Sequence, residues 1–427
     1  MTEAAKAAAG RRCRRAPQPR REGDLRPTDV VGAFFLAAIA FLLAAAVAGL
    51  VESLSPWPWG RWLALHLAFV GGVCQLVLGA SQFFAAAFLA TDPPPRALVR
   101  AQLLAWNLGT VLLAVAVPER WTAAIWVAVG LLVVGLLAWA AAVAALRRRA
   151  LRRSPWATRW YVSAIGFLGF GLIAGSLLAH GTVWTAGDLL AAHMALNLGG
   201  CFGAAIVGTL HTFYPSLSGT QLRFPRLQGP TFLGWCGGIA ALAVGYAVAV
   251  EPLAIAGWLG LLAAAALLGV NVIGCLLRAP RPLSLPARLL GLAQLFLIAG
   301  AALIAARACA EGPQQALVGE WREAAGTLLV VGWIGLTVLG SLLHLLAVVI
   351  RVRAGFAAAM PAPRPWLDLP LTVVAGLGIG GLAIAQVGGL TGASDAARPL
   401  VLAAYVVLGL LTAARAVRLV SGARPSF

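Results

Sequence analysis

Twelve long apolar stretches constrain the fold of this chain more than any other feature of its sequence. The hydrocarbon layer of a bilayer is about 30 Å thick, and a helix needs about 20 apolar residues to cross it. Helices are also the only open structures that satisfy their own backbone in lipid. We therefore predict an all-α polytopic membrane protein with twelve transmembrane helices. They cover residues 29–52, 62–90, 97–117, 121–146, 160–180, 187–214, 230–250, 252–277, 287–308, 322–350, 367–391 and 399–419.

The composition excludes a soluble protein. Apolar residues make up 61% of the 427 positions and charged residues only 11%, whereas soluble domains average about 25% charged residues. The net charge of +18 raises the question of nucleic-acid binding, but the charges follow the membrane topology. With a cytoplasmic N-terminus, 27 of the 32 Lys and Arg residues fall in cytoplasmic segments. The five in outer loops are Arg61, Arg120, Arg307, Arg322 and Arg398.

This asymmetry is the positive-inside pattern, so we predict cytoplasmic N- and C-termini and a multi-pass protein of the cytoplasmic (inner) membrane. The expected partner of the arginines is anionic lipid of the bilayer, not nucleic acid. Residues 1–28 are predicted to be a disordered basic tail, residues 29–420 a single membrane domain, and residues 421–427 a second tail. The apolar stretch after residue 28 is too long for a cleavable signal.

A weak internal repeat divides the membrane domain into three units. The second, sixth and tenth spans are the longest, and they are spaced four helices apart. This spacing predicts three pseudo-repeated four-helix units, at 29–146, 160–277 and 287–419. Gly340–His344 in the tenth span is similar to Gly208–His211 in the sixth. A single offset aligns His66 with His193, Ala68 with Ala195, Gly72 with Gly199, and Cys74 with Cys201.

The histidines are the candidate functional residues, because an imidazole without a partner is costly in hydrocarbon. His66 and His193 lie near the outer ends of the second and sixth spans, and His211 and His344 near the inner ends of the sixth and tenth. His180 ends the fifth span. No charged residue lies deep in any span, which argues against proton- or sodium-coupled transport.

The interval from His193 to His211 corresponds to about five full helical turns, so the two histidines share one face of the sixth span. Between them the same face carries a lane of small and polar residues. In one interpretation the lane allows close helix packing and the histidines are hydrogen-bond donors. In the other, it admits a flat macrocycle with axial histidine ligands, or the histidines bind copper. The lane consists of Asn197, Gly200, Ala204 and Gly208.

Two stacked sites would pair His66 with His193 and His211 with His344. Cys74 and Cys201 follow their histidines by eight residues, about 12 Å along a helix, so neither can share a metal with its own histidine. Free buried cysteines usually behave as small apolar residues. The chain has no CxxC pair, P-loop, HExxH helix or nucleophile-and-base pattern, so no enzyme class is indicated.

Two stretches resemble a known superfamily. AHMALNLGGCFGAAIVGTLHTFYPSLSGT, residues 192–220, and HLAFVGGVCQLVLGASQFFAAAF, residues 66–88, resemble the sixth and second helices of subunit-I-like proteins of the haem–copper oxidase superfamily. The closest resemblance is to actinobacterial membrane domains labelled copper oxidase, and a more distant one is to NnrS-type haem and copper membrane proteins. The resemblance implies twelve helices in three arcs of four. It also implies that His66 corresponds to a ligand of low-spin haem and His193 to a ligand of copper.

The departures from that superfamily are large. The seventh span, GPTFLGWCGGIAAL, lacks the paired copper histidines, and the start of the tenth, EWREAAGTLLVVGW, lacks both haem histidines. Oxygen reduction is therefore not expected. The leading hypothesis is a membrane protein that binds haem b, copper or both through His66, His193, His211 and His344, with a metal at His66 and His193. It would act in respiratory, nitric-oxide or copper metabolism with a redox partner protein. The alternatives are a transporter of a neutral or lipophilic molecule and an assembly partner of a membrane complex.

Overall fold

The described part of the chain folds as a bundle of membrane-length helices. A computed structural model describes residues 27–151 and 155–421. Within these ranges twelve helices are long and apolar enough to cross a membrane, and no strand occurs. The protein is therefore an all-α polytopic membrane protein. The helices are α1 Pro27–Leu54, α2 Gly60–Leu89, α3 Arg96–Ala116, α4 Thr122–Arg148, α5 Pro155–Ala179, α6 Leu189–Ser218, α7 Gln228–Ala247, α8 Glu251–Leu276, α9 Leu285–Glu311, α10 Gly319–Arg353, α11 Pro365–Val387 and α12 Thr391–Ser421.

The helix ends agree with the predicted spans to within a few residues, except at α12. That helix begins at Thr391, eight residues before the predicted start at residue 399, and continues through Pro399. Asp395 accepts a hydrogen bond from Arg398 at 2.8 Å within this added segment, which is polar and so carried no hydropathy signal. The predicted tails lie mostly outside the described residues, at 1–26 and 422–427, whereas residues 27 and 28 already belong to α1.

Three helices contain a π-helical segment at the same level. The segments are Leu67–Val73 in α2, Ala195–Gly203 in α6 and Thr327–Gly335 in α10. A π turn widens the helix and loosens its regular hydrogen-bond pattern, and such turns are frequent at functional sites. They occur in the second helix of each predicted four-helix unit, which supports the three-unit organisation.

Each π segment has one carbonyl that accepts a hydrogen bond from an aromatic side chain of another helix. Trp106 Nε1 of α3 donates to the Val70 carbonyl at 2.9 Å. Trp235 Nε1 of α7 donates to the Gly199 carbonyl, also at 2.9 Å. In the third unit the donor is the hydroxyl of Tyr405 in α12, and the acceptor is the Val331 carbonyl.

These three carbonyls define the structural register of the repeat. The interval in sequence from Val70 to Gly199 is the same as the interval between their donors, Trp106 and Trp235. In this register His66 is structurally equivalent to Ala195, not to His193. The alignment predicted from the histidines is therefore wrong by two positions.

The units close into a ring around α2, α6 and α10. The second helix of each unit contacts the first helix of another, giving the pairs α2–α5, α6–α9 and α10–α1. In their most apolar windows α2, α6 and α10 are buried over 50%, 50% and 67% of residues, and only α9, at 61%, is buried to a similar extent. The three π-containing helices therefore form the centre of the bundle, where the candidate residues lie.

Candidate functional site

The structure places His66 and His193 on neighbouring helices at the predicted outer end of the bundle, within electrostatic range of each other. Each histidine lies just before the π segment of its helix, His66 in α2 and His193 in α6. The two half-buried imidazoles are close enough to interact electrostatically. Below them Phe69 and Phe202 stack with ring centroids 5.7 Å apart, which fixes α2 against α6 at this level.

Backbone carbonyls determine which nitrogen of each ring is protonated. His66 Nδ1 lies 2.8 Å from the Trp62 carbonyl, and His193 Nδ1 lies 3.0 Å from the Gly171 carbonyl of α5. Since a carbonyl oxygen only accepts, Nδ1 is the donor in these two contacts, and a neutral ring then carries its lone pair on Nε2. At His193 the Asn197 amide nitrogen, which only donates, lies 3.2 Å from the same Nδ1 and competes for the opposite tautomer. Metal-binding histidines have this arrangement, with one ring nitrogen fixed by a carbonyl and the other left for the metal.

Packing on both sides holds the two rings in place. Trp62 stacks on His66 with a centroid distance of 4.0 Å. His193 packs against the backbone of α5 at Gly175, where a Cβ would stand 2.7 Å from His193 Cε1. The Asn197 amide lies 3.2 Å from His193 Nδ1 and donates to the His193 carbonyl at 2.8 Å. These contacts limit rotation of the rings.

The small-residue lane of α6 packs directly on α5. A Cβ at Gly200 would meet Phe167, and a Cβ at Gly208 would overlap Trp160. On the α5 side, a Cβ at Gly171 would meet the Asn197 amide. The lane therefore lies on one face, as predicted, but on that face helix five fills the space expected for a macrocycle. Of the two interpretations, close helix packing is the one that applies there.

His211 is buried separately from the outer pair. It is 2% exposed, its Nδ1 donates to the Val207 carbonyl at 2.8 Å, and its ring lies nearly parallel to Trp160 at 6.1 Å. No described residue hydrogen-bonds to His211 Nε2 or to Trp160 Nε1. The side chain of His211 thus faces helix five.

His344 faces a different neighbour. Its ring meets the ring of Phe213 edge-on at 5.5 Å. Phe213 is two residues from His211, about 200° around the helix, so His211 and His344 lie on different sides of α6. Arg415 of α12 donates to the Leu343 carbonyl and is close enough to His344 to interact electrostatically. A nearby guanidinium disfavours a metal cation at His344. The predicted inner pair is not brought together.

His180 resembles His66 in its hydrogen bond and in its tryptophan neighbour, but it lies apart from the outer pair. Its Nδ1 donates to the Ser176 carbonyl at 2.8 Å, and its ring packs on Trp126 with centroids 4.2 Å apart. Two helices, α4 and α5, supply these contacts. Within residues 27–151 and 155–421, no three His, Cys, Asp or Glu side chains converge on one point. A metal at the His66–His193 pair would therefore need main-chain or external ligands in addition to the two imidazoles.

The sequence interpretation missed a thiol pair. Cys74 and Cys201, about 1% and 0% exposed, face each other across the α2–α6 contact closely enough for their thiols to interact. Each lies eight residues after its histidine. The alignment through the histidines already matched these cysteines, but a match between repeats does not by itself predict contact between the matched residues.

A dithiol reagent should detect this pair. Phenylarsine oxide crosses lipid and bridges two adjacent thiols, so we expect one adduct on the purified protein by intact mass spectrometry. Cys74→Ser and Cys201→Ser should each abolish it. Cys275→Ser is the matched control, because Cys275 is equally buried but donates to the Gln221 carbonyl at 3.7 Å. An adduct of unchanged yield in Cys74→Ser would contradict the pairing.

Comparison with known proteins adds no family assignment. No protein-family model matches the chain, and no curated protein is significantly similar to it.

Proposed function

We propose that this protein binds a copper ion between His66 and His193 and serves in electron transfer or copper metabolism of the cytoplasmic membrane. The observation that carries the proposal is a pair of imidazoles within electrostatic range of each other, each with Nδ1 within hydrogen-bond distance of a carbonyl. Among the described residues, neither Nε2 has a hydrogen-bond partner. Two neutral imidazoles presenting lone pairs are suited to copper.

Copper fits the surroundings better than the iron of haem b. The small-residue lane beside His193 is filled by helix five, so a macrocycle would have to lie elsewhere around the pair. The thiols of Cys74 and Cys201 lie about 12 Å further along the same helices, too far to share a metal with the histidines. The resemblance of residues 66–88 and 192–220 to haem- and copper-binding membrane proteins also favours a redox metal.

The proposed orientation has both termini in the cytoplasm, because most arginines then lie on the cytoplasmic side. His66 and His193 would then lie near the outer surface of the membrane. A redox partner protein or a copper carrier would approach them from that side.

Copper titration of the purified protein tests the proposal. We expect one tightly bound copper at the histidine pair. His66→Ala and His193→Ala should each weaken binding by more than the roughly 10- to 100-fold that loss of an outer-shell partner costs. His180→Ala is the matched control, because its Nδ1 makes the same carbonyl bond away from the pair. Unchanged copper binding in His193→Ala would refute the site, and a Soret band lost in both variants would place haem iron there instead.

A variant that keeps both imidazoles tests whether their position matters. Gly175→Ala places a methyl group 2.7 Å from His193 Cε1 and 3.1 Å from Nδ1, so the ring must move from the Gly171 carbonyl. Copper affinity should fall by roughly 10- to 100-fold, as for loss of an outer-shell hydrogen bond. Gly166→Ala on the same helix has no atom within 4 Å of its new Cβ and should bind copper normally. Equal affinity in the two variants would show that the His193–Gly171 bond is unimportant.

A further inference from the structure

The three central helices, with Phe35 of α1 and Tyr161 of α5, line a partly open cavity of about 80 Å³. Ala80 of α2, Thr209 of α6 and Ser341 of α10 line it, and they occupy equivalent positions in the register that Val70, Gly199 and Val331 define. The residues four before and four after each of the three lining residues also line it. The cavity therefore lies along the axis on which the three units meet, and it is a product of the repeat itself.

Its predicted inner end is closed by aromatic rings. Phe84 and Phe213, both lining residues, lie with their ring centroids 5.2 Å apart, and Leu345 of α10 occupies the equivalent place in the third unit. No lining residue is charged. An occupant would therefore be uncharged and mostly apolar, because a charge has no partner there and desolvating it is costly.

Two hydroxyl groups on α10 give the cavity a polar side. Thr337 and Ser341 lie one turn apart on the lining face, and neither has a hydrogen bond to another described residue. Thr337 is 4% exposed. The Thr209 hydroxyl, by contrast, pairs with Tyr161 at 2.9 Å. In four other threonines of the membrane-length helices, the hydroxyl donates a hydrogen bond to the backbone carbonyl four residues earlier. These are Thr110, Thr231, Thr372 and Thr412.

We propose that this axial cavity binds a small, uncharged, largely apolar molecule, with one polar atom held by Thr337 and Ser341. This site is separate from the histidine pair and does not depend on a metal there. Apolar cavities of this kind bind xenon and small organic molecules. The apolar part of the occupant gains affinity by leaving water, and the hydroxyls set its orientation.

Crystals of the full-length protein exposed to xenon and, separately, to 2-bromoethanol test this proposal through anomalous scattering. Xenon should appear between α2, α6 and α10. The bromine of 2-bromoethanol should point toward Phe84 and Phe213, with its oxygen at Thr337 or Ser341. Xenon absent from the wild-type cavity, or a cavity filled only by ordered water, would overturn the proposal.

Two variants that fill the cavity with a larger side chain, one on α2 and one on α6, test whether xenon binds at this position. Ala80→Leu and Ala205→Leu should each remove the xenon peak, so failure of one to fold leaves the other as the test. Ala40→Leu, at an exposed position on α1, should retain it. Xenon at full occupancy in both filling variants would contradict the assignment.

A variant without the two hydroxyl groups separates recognition of the polar atom of the occupant from binding of its apolar part. Thr337→Val combined with Ser341→Ala should lower affinity for 2-bromoethanol by roughly 5-fold, the equivalent of one hydrogen bond of about 1 kcal/mol. Xenon binding should be unchanged in that variant. If 2-bromoethanol binds equally well, the two hydroxyls do not recognise the occupant.

Discussion

Gly208→Val should prevent the bundle from folding, because it separates α6 from α5. Any Cβ at residue 208 would overlap the Cβ and Cγ atoms of Trp160. These atoms adjoin the backbone, so the indole cannot swing aside without movement of α5. Trp160 is fully buried, and its ring also meets Phe232 edge-on at 5.0 Å. We expect a cost of more than about 3 kcal/mol, at or above the upper end of the usual range for overpacking.

Size-exclusion chromatography after detergent extraction measures this effect as the yield of monodisperse protein. Gly237→Val is the matched control, because Gly237 is exposed on α7 and nothing lies within 4 Å of its Cβ position. The control should extract normally, and the Gly208 variant should aggregate. A Gly208→Val protein as stable as the control would mean that α5 and α6 are not packed as described.

The hydropathy of the chain was sufficient to predict the twelve helices. In lipid the backbone has no alternative to a helix, so apolar length alone placed most helix ends within a few residues. The start of α12 was missed because residues 391–398 are polar and helical at once. A polar helical segment that lies outside the hydrocarbon layer gives no peak in hydropathy, so hydropathy does not predict it.

The three-unit organisation was predicted from an alignment that differs by two positions from the register of the π segments. Glycine and alanine are so common in this chain that the alignment through the histidines paired small residues by chance. A stronger signal was present two positions away, where Trp106 and Gly109 align with Trp235 and Gly238. The tryptophans carry that register because each binds a carbonyl of a π segment.

The histidine site could be predicted only in part. Helical periodicity correctly placed His193 and His211 on one face of α6, but periodicity does not say which helix covers that face. Helix five covers it, through residues such as Phe167 and Trp160. Whether His211 meets His344 depends on the rotation of α10 against α6, which no local pattern encodes. The Cys74–Cys201 contact was missed for the same reason.

The hydrogen bonds to the π segments lead to the second large effect. Trp106→Phe, Trp235→Phe and Tyr405→Phe should each destabilise the bundle by about 1–3 kcal/mol, the cost of leaving a buried acceptor unpaired. The bonds that the two tryptophans make are 2.9 Å long, and both indoles are at most 2% exposed. Interhelical hydrogen bonds in membranes average about 0.6 kcal/mol, so a result near the low end, about 1 kcal/mol, would agree with both expectations.

Thermal unfolding in detergent, followed for the three single variants and their combinations, checks this prediction. Tyr405→Phe is the most direct variant, because it removes one oxygen and no ring. Trp366→Phe is the control, since Trp366 is 75% exposed and should change stability little. Because the three carbonyls lie on different helices, their effects should add. Full stability in Tyr405→Phe would show that the Val331 carbonyl does not need this donor, and the π segments would then require another explanation than side-chain hydrogen bonding.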